Sequence, residues 1–88
     1  MKMILRIFAI RDTAADAFMQ PFFANTNAQA VRNFADVVNR KREDNAIANH
    51  PADFDLYLLG HFDDNKGVIE KTGPDRIVTG LSLVKTTE

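Results

Sequence analysis

The chain has 88 residues and a mass of 9.9 kDa, room for one hydrophobic core and no second domain. Apolar residues make up 45 % and charged residues 26 %, a globular balance, and the absence of cysteine excludes disulfides and thiolate metal sites. The formal net charge of −1 excludes a bulk positive field of the kind that draws nucleic acid. Charge is unevenly placed, with seven Lys/Arg against five Asp/Glu in residues 1–44 and four against seven in residues 45–88.

A chain this short buries only a little over ~60 % of its unfolded surface. Part of its stability is therefore expected from a partner subunit, and a homo-oligomer is the expected state. No run of 18 apolar residues occurs, so no membrane span is expected. Met1–Ile10 contains Lys2 and Arg6 and is followed by no small-residue cleavage site; it does not read as a signal peptide.

Met3–Ile10 alternates two sets, Met3, Leu5, Ile7 and Ala9 against Ile4, Arg6, Phe8 and Ile10, which predicts a strand. Arg11-Asp12-Thr13 ends it. Ala14, Ala15, Ala17 and Phe18 offer one helical turn, but Pro21 biases Gln20 away from the helical region, and Phe22-Phe23 suits a short extended segment at an edge. Thr26 with Gln29 forms a capping-box pattern. Val31, Phe34, Ala35 and Val38 then make one apolar stripe, predicting a helix over Asn27–Arg42. The run Arg40-Lys41-Arg42 falls in its last turn, where cations complement the helix dipole.

Glu43–Asp53, with His50-Pro51, reads as a loop. Phe54–Phe62 is a second strand, with Phe54, Leu56, Leu58 and Phe62 on one side and Asp55, Tyr57, Leu59 and His61 on the other. Asp63–Gly67 is a hairpin loop in which Gly67 supplies a positive φ. Val68–Lys71 returns, Thr72-Gly73-Pro74-Asp75 turns, and Arg76–Val84 is a last apolar segment able to pair as a strand. The expected organisation is one α+β domain over residues 1–71, with residues 72–88 as a C-terminal strand or tail available for an oligomer contact. Its fold is a small antiparallel sheet with one long helix packed on one face, in the order β-(β)-α-β-β-(β). Large apolar residues stand on both faces of two strands, and one helix covers only one of them. The other face carries Phe8, Tyr57 and Leu59, or their opposites.

Catalysis finds no support in the motifs. There is no nucleophile elbow and no Gly-rich phosphate loop, and Gly60, Gly67, Gly73 and Gly80 stand singly. His50 and His61 are too few for a zinc site, which needs three or four converging ligands. Asp63, Asp64 and Asn65 lack the register of a calcium loop and fit turn formation instead. No enzyme activity, cofactor or metal is expected. For nucleic acid, Arg6, Phe8, Arg11 and Tyr57 could form a stacking platform, with Arg32, Arg40, Lys41 and Arg42 tracking phosphates. The competing reading has Phe8 and Tyr57 filling a dimer interface and the helix cations merely solvated.

Several segments together carry a family resemblance: Asp12-Thr13-Ala14-Ala15, Gln20-Pro21-Phe22-Phe23-Ala24, the helix with Ala30, Arg32, Phe34 and Val38-Asn39, and His50 through Asp63 with Gly67 after it. In order and spacing they resemble the small nonstructural protein of gokushovirus-type microviruses, tailless phages with small single-stranded DNA genomes. The resemblance covers about residues 3–70 and leaves Thr72–Glu88 unmatched. It implies a nonstructural or DNA-binding protein of the infected host cell, acting in its cytoplasm, and carries over no catalytic residue. Where the family often has Tyr before the Gln-Pro motif, this chain has Phe18, which keeps the ring and loses the hydroxyl.

Three function classes follow. The first is a single-stranded DNA-binding accessory in genome replication or packaging. The second is a protein–protein regulator that switches DNA synthesis to packaging by binding a phage replication or capsid protein. The third, a small enzyme, lacks a polar cluster.

Overall fold

The computed structural model describes residues 4–85; Met3 of the predicted first strand and Thr86–Glu88 of the predicted tail lie outside the described residues. One antiparallel sheet is built around β1 (Ile4–Asp12) and β4 (Phe54–Asp63), with β5 (Val68–Thr79) at one edge. On the other flank of β1, two short strands lie end to end, β2 (Ala17–Phe18) opposite Arg11 and Asp12 and β3 (Phe22–Ala24) opposite Arg6–Phe8. Met19 N–H still donates to the Ile10 carbonyl at 2.8 Å, but Pro21 has no N–H to give, so the ladder stops and restarts at Phe22. The helical turn offered by Ala14–Phe18 does not form. Asp12 Oδ1 instead accepts from the Ala14 and Ala15 amides, both at 3.1 Å, and Asp16 takes φ 56°, making a turn that feeds β2.

α1 (Asn27–Val38) starts as its sequence predicts, with Thr26 Oγ1 accepting from Gln29 N–H at 3.1 Å. The Gln29 amide donates to Asn33 at 3.0 Å rather than returning to the cap. The helix ends four residues before the predicted Arg42: Arg40 N–H and Asn45 Nδ2 both bond Val37 O, the carbonyl that Lys41 N–H would take in a further turn, and asparagine side chains brace the chain on either side of this end. Asn39 Nδ2 donates to Ala35 O at 2.8 Å. Asn45 Nδ2 donates to Val37 O and Arg40 O at 3.0 and 2.8 Å, and Asn49 Nδ2 to Arg42 O and Glu43 O, both at 3.2 Å. Such side-chain bonds compete directly with helix continuation. Arg40, Lys41 and Arg42 therefore lie beyond the helix, exposed on an ordered loop. Within the predicted loop Glu43–Asp53, α2 (Ala46–Asn49) buries Ile47 and Ala48, and a 3₁₀ turn over Pro51–Asp53 leads into β4.

The core lies between α1 and one sheet face. Phe8, Phe34, Leu56 and Val38 are its largest fully buried side chains, joined by Ala30, Ile47, Phe54 and Leu58. Phe8, expected on the nucleic-acid platform, is thus a core residue, 0 % exposed with its ring 5.9 Å from that of Phe22. Strand parity groups it with Ile10, Leu56 and Leu58, and this is the set the helix covers. The open face is the one that carries Tyr57.

A β-bulge changes the predicted facing in β4. Ile7 pairs with Gly60 but Phe8 pairs with Leu58, leaving Leu59 as an extra residue. Side-chain parity inverts beyond a bulge, so Phe62 joins Tyr57 on the open face and His61 moves to the opposite one. The hairpin forms as expected. Asp63 Oδ1 accepts from the Asn65 and Lys66 amides at 3.0 and 3.3 Å, and Gly67 adopts φ 66°.

No turn interrupts residues 72–75; β5 continues through Gly73-Pro74 to Thr79, and a register shift accommodates the change beside Leu58. Past β5, Gly80 N–H donates to Phe54 O at 2.7 Å, and Leu81–Leu83 forms a 3₁₀ turn that packs Leu83 on the core. Arg76–Thr79 therefore pairs as strand while the rest of the predicted last segment coils back. Among the described residues no helix is long and apolar enough to cross a membrane.

Candidate nucleic-acid interface

The sheet face opposite α1 carries two aromatic pairs. At the end nearer the core, Phe18 on β2 meets Tyr57 on β4 edge to face, with ring centroids 5.3 Å apart. Arg11 lies over the Phe18 ring, 5.5 Å from its centroid, a cation–π geometry. Tyr57 stands opposite Ala9 in the ladder, and this small residue is fully buried. Past the bulge, Phe23 on β3 and Phe62 on β4 lie 5.9 Å apart. β2 and β3 bring Phe18 and Phe23 to the same flank because both pair with β1, at Arg11 and Ile7 respectively.

Arg76 stands opposite Tyr57 on β5 and Arg11 lies on β1, between the strands of the two rings, so rings and guanidiniums alternate across the sheet in the order Phe18, Arg11, Tyr57, Arg76. Each has a carboxylate neighbour. Arg11 is ion-paired with Asp16, and Arg76 lies 3.9 Å from the buried Asp55. The Arg11–Asp16 pair is solvent-exposed and contributes little to stability, while Arg76, itself largely exposed, reaches its buried partner only loosely. Lys71 stands opposite Gly60 further along β5.

Of the residues predicted for nucleic-acid binding, the fold brings only Arg11 and Tyr57 together. Phe8 is buried beneath the helix. Arg6 lies on the helix side, donating to Asn27 Oδ1 at 2.9 Å. Arg32 is exposed on the outer surface of α1. Arg40, Lys41 and Arg42 occupy the loop after α1, where Arg42 approaches Asp44 at 3.5 Å. Phe18, Phe23, Phe62 and Arg76 are the residues that sequence reasoning missed. Pro21 between two Phe-bearing segments was the available signal for the first two, since an edge strand broken by proline can still present both halves to one neighbour. Nothing local signals Phe62, whose facing depends on the bulge.

Among the described residues no cluster of three or more His, Asp or Glu side chains is placed to hold a metal ion. Fold and face together define a small sheet-platform domain: one antiparallel sheet, backed by a helix on one side and presenting aromatic rings alternating with arginines on the other. The chain belongs to the Phage ORF5 protein family, whose profile matches residues 5–83, and it is therefore a phage protein. The match extends beyond residue 70 through the rest of β5 and the following 3₁₀ turn, segments that the resemblance did not reach. Neither a curated protein nor a solved structure matches the chain.

Proposed function

We propose that this phage protein is a non-enzymatic single-stranded DNA-binding accessory in genome replication or packaging, and that the strand crosses the open sheet face at Phe18 and Tyr57. The observation that carries this reading is the alternation of Phe18, Arg11, Tyr57 and Arg76 across the sheet, on the face opposite α1. Single strands offer unstacked bases to aromatic rings, whereas a duplex does not. The resemblance to microvirus nonstructural proteins, whose genomes are single-stranded DNA, supports the same choice of polymer.

The local charge makes a quantitative demand. With Arg11 and Arg76 as the phosphate contacts, about two counterions are released, and the logarithm of affinity should fall with that of salt with a slope of roughly −1.4. A labelled oligothymidine titrated by fluorescence anisotropy at several salt concentrations, beside a duplex control, tests this. Tyr57→Ala should weaken binding about 5- to 150-fold, since one stacked base is worth ~1–3 kcal/mol. Failure to bind at low salt refutes the reading. The alternative is a regulator that binds a phage replication or capsid protein; it draws support from the carboxylates beside both guanidiniums and from the net charge of −1.

A further inference from the structure

The sheet is longer than the core beneath it. None of the core residues, nor those packed around it, comes from Ile4–Ile7, Gly60–Asp63 or residues 68–71. This end of the three long strands projects as an arm past the start of α1, and the molecule measures 47 × 27 × 20 Å. Its radius of gyration of 14.0 Å exceeds the roughly 12 Å of a compact chain of this length. The accessible surface of 6003 Å² is about 800 Å² above the ~5,200 Å² of a compact monomer of this mass.

On its open face the arm holds a shallow groove of about 370 Å³, lined by Ile7, Pro21, Phe23, Leu59 and Ile69 among others. Two of the walls stand up from it as the most exposed of these apolar side chains, Phe23 at 55 % and Ile69 at 68 %. A two-fold interface brings the same patch of both copies together, and this patch holds both the ridges and the groove that such a contact needs.

We infer that the arm is the interface of a homodimer, in which Ile69 and Phe23 of each copy enter the groove of the other. The surplus over the whole chain is of the order of the ~800 Å² per partner that a standard-sized interface buries, and a net charge of −1 per chain adds almost no repulsion between copies. A nucleic-acid strand suits this end poorly, because Lys71 is the groove's one cation. The arm lies beyond the Phe18–Tyr57 pair, so dimerisation leaves that pair open, and the inference stands whether or not DNA binds there.

Light scattering on the full chain without nucleic acid is the test. The expected mass is twice 9.9 kDa, with a melting temperature that rises with protein concentration. Ile69→Glu, at an exposed site on an edge strand, should give a folded monomer by circular dichroism, and Phe23→Glu should do the same. Leu81→Glu, at a side chain 60 % exposed on the 3₁₀ turn after β5, should leave the dimer intact. A monomeric wild type at every concentration overturns the inference. So does a dimer that survives both arm substitutions, or one that Leu81→Glu dissociates.

Discussion

Asn39 fastens the end of the helix to the returning chain, and its removal has a calculable cost. One amide group donates to Ala35 O at 2.8 Å and to Leu83 O at 2.9 Å, while its oxygen accepts from Lys85 N–H at 2.8 Å. Both nitrogen contacts are carbonyls and the oxygen contact is an N–H, so the network itself sets the amide orientation. At ~0.5–1.5 kcal/mol net for each bond, and with the Lys85 bond solvent-exposed, Asn39→Ala should destabilise the fold by about 2 kcal/mol. For a domain of this size that lowers the melting temperature by roughly 8–16 °C. Asn39→Asp is the sharper probe. It keeps the shape and the acceptor for Lys85 but sets an oxygen against two carbonyls, so it should cost at least as much as alanine. Urea and thermal unfolding followed by far-UV circular dichroism measure both. A loss below about 0.5 kcal/mol for Asn39→Asp, within the scatter of ordinary surface substitutions, would refute the claim that this side chain anchors residues 83–85 to the end of the helix.

Other expectations follow from single placements. Phe8→Leu should lower stability while leaving oligothymidine affinity within twofold; a selective loss of binding would return Phe8 to the interface. Gly80→Ala sets a methyl group 2.5 Å from Pro51 O and 2.7 Å from Phe54 O, backbone atoms that cannot rotate aside, and should destabilise by more than 1 kcal/mol in chemical denaturation. Replacing Arg40, Lys41 and Arg42 together by alanine should leave single-strand affinity and its salt slope nearly unchanged in anisotropy titrations, because that loop belongs to the helix side of the molecule. A large loss would move the phosphate contacts there.

Elements whose cause is local were legible in the sequence. The alternation of residues 4–10, the Thr26 cap with its apolar stripe, and the Asp63–Gly67 turn each rest on a few neighbouring residues and formed where expected. What escaped depends on pairing at long range. Alternation showed that β1 has two apolar faces, but the choice of Phe8 over its opposites was made by the helix, which is distant in sequence. The bulge at Leu59 is a relation between β1 and β4 and has no signature in either alone. Helix termination at Val38 involves Asn45, which reaches Val37 O from beyond the expected end. The aromatic face was half legible for the same reason. Tyr57 and Arg11 belong to the expected platform, although strand parity sets Arg11 opposite its other members Arg6 and Phe8, whereas Phe18, Phe23, Phe62 and Arg76 meet them only after the sheet is assembled.

Tyr57 is the chain's sole tyrosine, and there is no tryptophan, so the intrinsic fluorescence of the unlabelled protein reports on this one ring. Titration with oligothymidine, corrected for absorbance, therefore tests the central claim at the residue that carries it. Stacking of a base on the ring predicts saturable quenching that follows the anisotropy isotherm and is absent with the duplex. Unchanged emission at saturating single strand would place any binding elsewhere and contradict the account.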